Sequence, residues 1–158
     1  MTDAEAQLAS YFSVYEPAMA VLGQALRAKL RARLPGLNEI VYVYENQDAL
    51  VISYSPTRQG YEGVCSLALY PDRAALHFPQ GGALAKSDPG KLLEGRGKGA
   101  RHVTLTTVAG FDRAELEALM VAALELANVR PDANAEPVVI LKAESQKKRA
   151  VRTAKAEG

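Results

Sequence analysis

Four short segments rich in β-branched and aromatic residues follow one another between residues 40 and 78, and the links between them are short. Asn46-Gln47-Asp48 separates the first two segments, and Pro71-Asp72 separates the last two. Strands joined by such short links pair with their neighbours in opposite directions, because a parallel connection needs a crossover of about a dozen residues or more. The pattern therefore predicts an antiparallel meander of strands at residues 40–44, 49–54, 63–70 and 73–78.

Apolar residues at helical spacing occur on both sides of this meander. Residues 3–34 predict two helices with a break at Glu16-Pro17, since proline is well tolerated at the first position of a helix. A fifth strand is predicted at 102–107, followed by a helix that begins near Asp112, and residues 138–141 suit a short edge strand. We expect an α+β domain, an antiparallel sheet of about five strands with helices packed on one face.

The second helix carries a run of basic residues opposite its leucines. A basic face of this kind can contact nucleic acid, but a face in contact with solvent is the interpretation we favour. The run consists of Arg27, Lys29, Arg31 and Arg33.

Composition argues against two classes of partner. The 158 residues have a formal net charge of +1, which is too small to attract nucleic acid or an acidic membrane surface by overall charge. No apolar run reaches membrane-spanning length, and the single cysteine fits the reducing cytoplasm. We expect one cytoplasmic domain over residues 1–141, followed by a basic, mobile tail over residues 142–158.

The glycine-rich loop at residues 94–102 is the first candidate site. It is not a P-loop, because Leu92 stands at the early glycine position and Gly99 replaces the hydroxyl residue. Gly95-x-Gly97-x-x-Ala100 matches a dinucleotide-binding fingerprint, but the loop opens a strand rather than the helix which that fingerprint requires. Its backbone amides and basic side chains suit an anion. Alternatively, the glycines only permit a tight left-handed connection, and the basic side chains lie in water or pair with Glu94. The candidate ligand-binding residues are Gly97, Lys98, Gly99, Arg101 and His102, together with His77 on the strand before the loop.

A metal site is the second candidate. His77 and His102 lie on strands predicted to be neighbours, and imidazole and carboxylate ligands suit iron or zinc. No established ligand spacing accompanies them. The remaining possible ligands are Cys65, Asp72, Asp88 and Glu94.

Nothing in the sequence supports an enzyme or a bound cofactor. Cys65 alternates in phase with Leu67 and Leu69, which places it on the predicted core face as a small buried residue rather than a nucleophile. The pair Tyr42 and Tyr44 shares a strand face, where packing on the sheet is the favoured interpretation.

One stretch resembles a known family. Asp88-Pro89, then Leu92-Leu93-Glu94-Gly95-x-Gly97-Lys98-x-x-Arg101-His102-Val103, is similar to the bacterial YdhG-like family of unknown function. The strand pair with Cys65 and His77 resembles that family as well, and the resemblance covers roughly residues 17 to 127. It implies an α+β fold, and one branch of the family is described as a frataxin-like intracellular iron chaperone.

Two functional hypotheses follow. The first is a non-enzymatic binding module that holds a small anionic ligand or partner group at the 94–102 loop beside His77. The second is intracellular handling of iron or another metal by His77, His102 and nearby carboxylates. We predict neither a membrane partner nor specific binding to nucleic acid, and the sequence does not define the oligomeric state.

Overall fold

The computed structural model describes residues 3–96 and 98–142. Gly97 and the predicted basic tail beyond Lys142 therefore lie outside the described residues. Within these ranges the helices are α1 (Asp3–Phe12), α2 (Pro17–Arg33), α3 (Gly81–Leu84) and α4 (Ala114–Ala127). The strands are β1 (Asn38–Tyr44), β2 (Ala49–Ser55), β3 (Cys65–Leu69), β4 (Ala74–Phe78), β5 (Arg101–Leu105) and β6 (Val139–Leu141).

The strands form one sheet in the order β5-β4-β3-β2-β1-β6. The predicted meander is confirmed, since each strand from β1 to β5 pairs antiparallel with the next. The edge strand predicted at residues 138–141 is confirmed as β6, but it pairs parallel to β1, so the sheet has six strands and is not entirely antiparallel as expected. The reason is the long connection through α4, which returns the chain from β5 to the opposite edge of the sheet.

Alternating side chains divide the sheet into two faces. Leu67, Leu76 and Val103 lie next to one another on β3, β4 and β5, and all are buried in a single core with the helices. The helix α2 approaches β3 closely at Gly23, where a Cβ atom would lie 2.7 Å from Leu69 Cδ2. We call this the helix face and the opposite side the outer face.

Asp88 followed by Pro89 is typical of a helix start and predicts a helical turn that includes Leu92-Leu93. This prediction was wrong: no helix follows Asp88-Pro89, and Lys91 adopts a left-handed φ of 53°. The Asp88 carboxylate instead accepts hydrogen bonds from the backbone amides of Leu92 and Leu93, both at 2.9 Å. The helix predicted to begin near Asp112 is confirmed as α4, whose N-cap is the adjacent Arg113, and the Asp112 carboxylate pairs with Lys29 of α2 at 2.9 Å.

The basic run on α2 was predicted to face solvent, and this was wrong for Arg27. Its side chain is only 14% exposed, and the guanidinium lies between the carboxylates of Glu5 and Glu39 at 2.7 and 2.8 Å. Glu39 is itself buried and also accepts a hydrogen bond from the Tyr54 hydroxyl at 2.9 Å. Burial disfavours the charged guanidinium, but the hydrogen bonds to Glu39 and Glu5 outweigh it and raise the pKa of Arg27.

None of the helices in the described part of the chain has the length and apolar character needed to cross a membrane.

We predict that Arg27→Met lowers the free energy of unfolding by about 3–5 kcal/mol, because it leaves the buried carboxylate of Glu39 without its cation. Thermal or urea unfolding measures the loss. The matched control is Arg33→Met, which removes a more exposed pair with Glu117 and costs about 1 kcal/mol or less. Equal losses for both variants would contradict the assignment of the Arg27 network as a buried, stability-determining cluster.

Candidate functional site

Two histidines lie side by side on the outer face of the sheet. His77 of β4 and His102 of β5 are direct cross-strand partners, and their ring centroids are 5.1 Å apart. Their neighbours Leu76, Phe78 and Val103 are buried on the helix face, so strand alternation directs both imidazoles outward. The sequence-based expectation that the two histidines occupy adjacent strands is confirmed.

The turn between β3 and β4 brings two further side chains to this pair. The backbone amide of Tyr70 donates to the carbonyl of Arg73 at 2.8 Å, closing a tight turn around Pro71-Asp72. The Tyr70 hydroxyl lies 3.4 Å from His77 Nε2, and the Arg73 guanidinium lies 4.3 Å from the centroid of the Tyr70 ring. A guanidinium so placed is attracted by the ring and is held near the histidines.

Glu94 covers the outer edge of β5 beside the same site. Its backbone exchanges two hydrogen bonds with His102, and its carboxylate accepts one from the backbone amide of Thr104 at 3.0 Å. The Thr104 hydroxyl also donates to this carboxylate and is the main cause of the lowered pKa of Glu94. His102 Nε2 lies 3.9 Å from Glu94 Oε2. The sequence left open that a basic residue of the loop pairs with Glu94, and in the structure that residue is His102.

The glycine-rich loop rests against the start of α3. The amide of Gly82 donates to the carbonyl of Gly99 at 2.9 Å, and a Cβ atom on Gly82 would lie 2.4 Å from the carbonyl oxygen of Lys98. The side chain of Lys98 is exposed. This packing turns two loop carbonyls toward α3.

Arg101 and His102 are adjacent in β5 and therefore point to opposite faces. A Cβ atom on Gly81 would lie 2.4 Å from the Cβ atom of Arg101, which places Arg101 against α3 on the helix face. The structure thus brings His77 and His102 together but separates Arg101 from them. Gly95 has a φ of +112° and supplies the left-handed conformation expected of this loop.

His77 is more buried than its partner, and this affects its charge. Burial lowers the pKa of His77 below its usual value of 6.5, and the nearby His102 and Arg73 lower it further. The imidazole is therefore neutral at neutral pH, with one nitrogen that donates and one that accepts a hydrogen bond.

The other candidate residues lie elsewhere. Cys65 is fully buried, which confirms its predicted place in the core, and burial raises the pKa of its thiol to about 12. Over residues 3–96 and 98–142, no three His, Cys, Asp or Glu side chains are grouped in a way that could hold a metal ion.

Comparison of the chain with protein-family models, with curated proteins and with solved structures found no match. Membership of the YdhG-like family thus stays a prediction that depends on the sequence motif.

Sequence reasoning missed Tyr70, Arg73 and Thr104 as neighbours of the histidine pair. A usable signal was present for the first two. A link of two residues between antiparallel strands places the flanking residues, here Tyr70 and Arg73, directly opposite each other at the end of the strand that carries His77.

We predict that the pKa of His77 rises in His102→Gln, because the substitution removes a like charge when both rings are protonated. Titration of the imidazole signals by NMR measures the change. Lys86→Gln, which alters an exposed charge in another loop, should leave the titration unchanged. An unaltered His77 titration in His102→Gln would contradict electrostatic coupling between the rings.

The same lowered pKa predicts a dependence of stability on acid. Well above pH 6.5 His77 is neutral in both the folded and the unfolded chain, so it contributes no pH dependence there. As pH falls below 6.5, the unfolded chain takes up a proton that folded His77 resists, and stability falls until the folded pKa is reached. His77→Gln should flatten this part of the stability curve in thermal unfolding at stepped pH. A curve as steep as that of the wild type would contradict the assignment.

Proposed function

We propose that the protein is a non-enzymatic, cytoplasmic binding module that holds a small anionic ligand on the outer face of its sheet. The observation that carries the proposal is the in-register pair of His77 and His102 beside Arg73. Carboxylates and phosphates fit such a set, because histidine and arginine supply charge-assisted hydrogen bonds to anionic oxygens.

The donors around the pair support this ligand class. Arg73 forms an ion pair with Asp72 through Nη1, and its side chain is 46% exposed. A guanidinium has five N–H donors, so further donors remain for a ligand. The imidazoles and the Tyr70 hydroxyl lie on the same face and can donate to the same small anion.

Binding of an anion is expected to be coupled to proton uptake. An anion favours the protonated form of His77 and His102, whereas in the free protein burial and like charge disfavour it for His77. Affinity for the ligand should therefore increase as pH falls through the range in which the imidazoles titrate. This behaviour separates a histidine site from one made of lysines and arginines alone.

In this proposal the loop at residues 94–102 forms the border of the site at the edge of the sheet. Lys98 is exposed in the loop that leads into β5 and adds positive charge to this edge of the sheet. Arg101 lies on the helix face, and we assign it a role in seating the loop on Gly81 rather than in touching the ligand. Gly97 and Gly99 belong to the same loop, and the contribution of their amides stays a prediction.

Metal handling, including iron, is the second candidate. Two imidazoles in register on neighbouring strands can together contact one ion. In this function the metal is cargo, held by few protein ligands and readily released.

We predict that a small anion raises the melting temperature of the full-length protein, and more at about pH 6 than at about pH 8 because of the histidines. Inorganic phosphate, citrate, nucleotides and anaerobic ferrous iron form the panel. A ligand at a hundred times its Kd stabilises the native state by about 2.7 kcal/mol. For a protein of this size, each kcal/mol corresponds to a rise of roughly 2–4 °C.

Variants connect the shift to the site. His77→Gln should remove most of the anion-induced shift together with its pH dependence, and Lys98→Ala should weaken it, whereas Lys86→Ala is the matched control. If an anion still raises the melting temperature of the double variant His77→Gln and His102→Gln, the proposed anion site is contradicted. A shift with ferrous iron alone, lost in His77→Ala, would instead support the second candidate.

A further inference from the structure

A second concave region lies beside α1 and extends as far as Pro71 in the β3–β4 turn. It is a groove of about 960 Å³ between α1, the β1–β2 turn and β6. Tyr11, Tyr15 and Tyr44 form part of its lining, and Val43 and Leu50 add apolar surface. The groove shares no lining residue with the histidine site, so its occupant must be sought separately.

The groove is acidic. Glu16, Glu45 and Asp48 line it, and its lining in the described part of the chain includes no lysine, arginine or histidine. The Tyr15 hydroxyl holds one wall in place, since it lies 2.8 Å from the carbonyl oxygen of Asp48 and 3.0 Å from that of Leu69. Aromatic rings beside carboxylates favour a cationic occupant, because both attract ammonium and guanidinium groups.

The end of the described chain is directed at these carboxylates. β6 runs parallel to β1, with Leu141 beside Val41, and the amide of Lys142 donates to the carbonyl of Val41 at 2.7 Å. Leu141 itself lines the groove. From Val41, β1 continues toward Glu45, which is four residues further on and about 13 Å away at the rise of a strand. Lys142 thus lies beside the groove, at the point from which β1 runs toward Glu45.

The residues that follow carry the complementary charge. Residues 143–158 contain five basic side chains and only two acidic ones, Glu144 and Glu157. The first basic residue, Lys147, is five positions beyond Lys142, a reach of at most about 17 Å. The basic residues are Lys147, Lys148, Arg149, Arg152 and Lys155.

We propose that residues 143–158 bind in the acidic groove of their own chain, with their basic side chains against Glu16, Glu45 and Asp48. Individual exposed ion pairs are weak and are screened by salt. Covalent attachment next to the groove compensates, because a short tether gives the segment a high effective concentration at its binding surface.

Zero-length carbodiimide cross-linking of the full-length protein, followed by mass spectrometry, tests the proposal. Lys147 or Lys148 should become linked to Glu16, Glu45 or Asp48 at low ionic strength, and the yield should fall severalfold at high salt. Glu115 and Glu125 of α4 are exposed carboxylates outside the groove and serve as controls that should remain unlinked. Links distributed equally over groove and control carboxylates would overturn the proposal.

A mixture of isotopically light and heavy chains identifies which chain provides the segment. Links within one chain support the proposal, whereas links between light and heavy chains would overturn it in favour of exchange between two copies.

Neutralising variants provide a second readout. Lys147→Gln with Lys148→Gln and Arg149→Gln should shift backbone amide resonances of the groove, including those of Glu45, Asp48 and Leu141. The matched variant on the groove side is Asp48→Asn, which removes the charge and suits the left-handed φ of 49° at this position. It should lower the cross-linking yield severalfold. Resonance changes confined to residues 143–158 would overturn the proposal.

Discussion

The guanidinium of Arg27 between the carboxylates of Glu5 and Glu39 is the interaction on which the arrangement of the domain depends. It joins α1, α2 and β1 at one buried point, and Tyr54 extends it to β2. A buried charge that loses its partner is strongly destabilising, so these elements must meet in one register. A slip of β1 by one residue would turn Glu39 to the outer face and break the network.

Much of the sheet could be predicted, because strand alternation and short links are local properties of the sequence. The position of β6 could not, since its pairing depends on where α4 returns the chain. The burial of Arg27 was missed because helical periodicity does not show that α1 covers this face of α2. One signal was present: Glu39 is in phase with Val41 and Val43, which places a carboxylate on the helix face, where only a buried cation can accompany it.

The candidate site was predictable to a similar extent. Alternation placed His77 and His102 on one side of neighbouring strands, and the structure has them in register. The same rule separates Arg101 from His102, yet the concentration of basic residues in the loop suggested that they act together. Arg73 was overlooked because the β3–β4 turn, and not alternation along one strand, brings it near the histidines. The turn places the Arg73 guanidinium over the Tyr70 ring, and the Tyr70 hydroxyl lies beside His77.

The contact between Glu94 and β5 also bears on how the molecule avoids polymerising. An exposed edge strand is a template on which another chain can add, and natural proteins protect such edges. Here Glu94 occupies the outward amide and carbonyl of His102 with its own backbone and the amide of Thr104 with its carboxylate. The residue that guards the edge thus adjoins the imidazole of His102. Displacement of Glu94 would uncover the outward backbone groups of His102 and Thr104, to which the strand of another chain could then add.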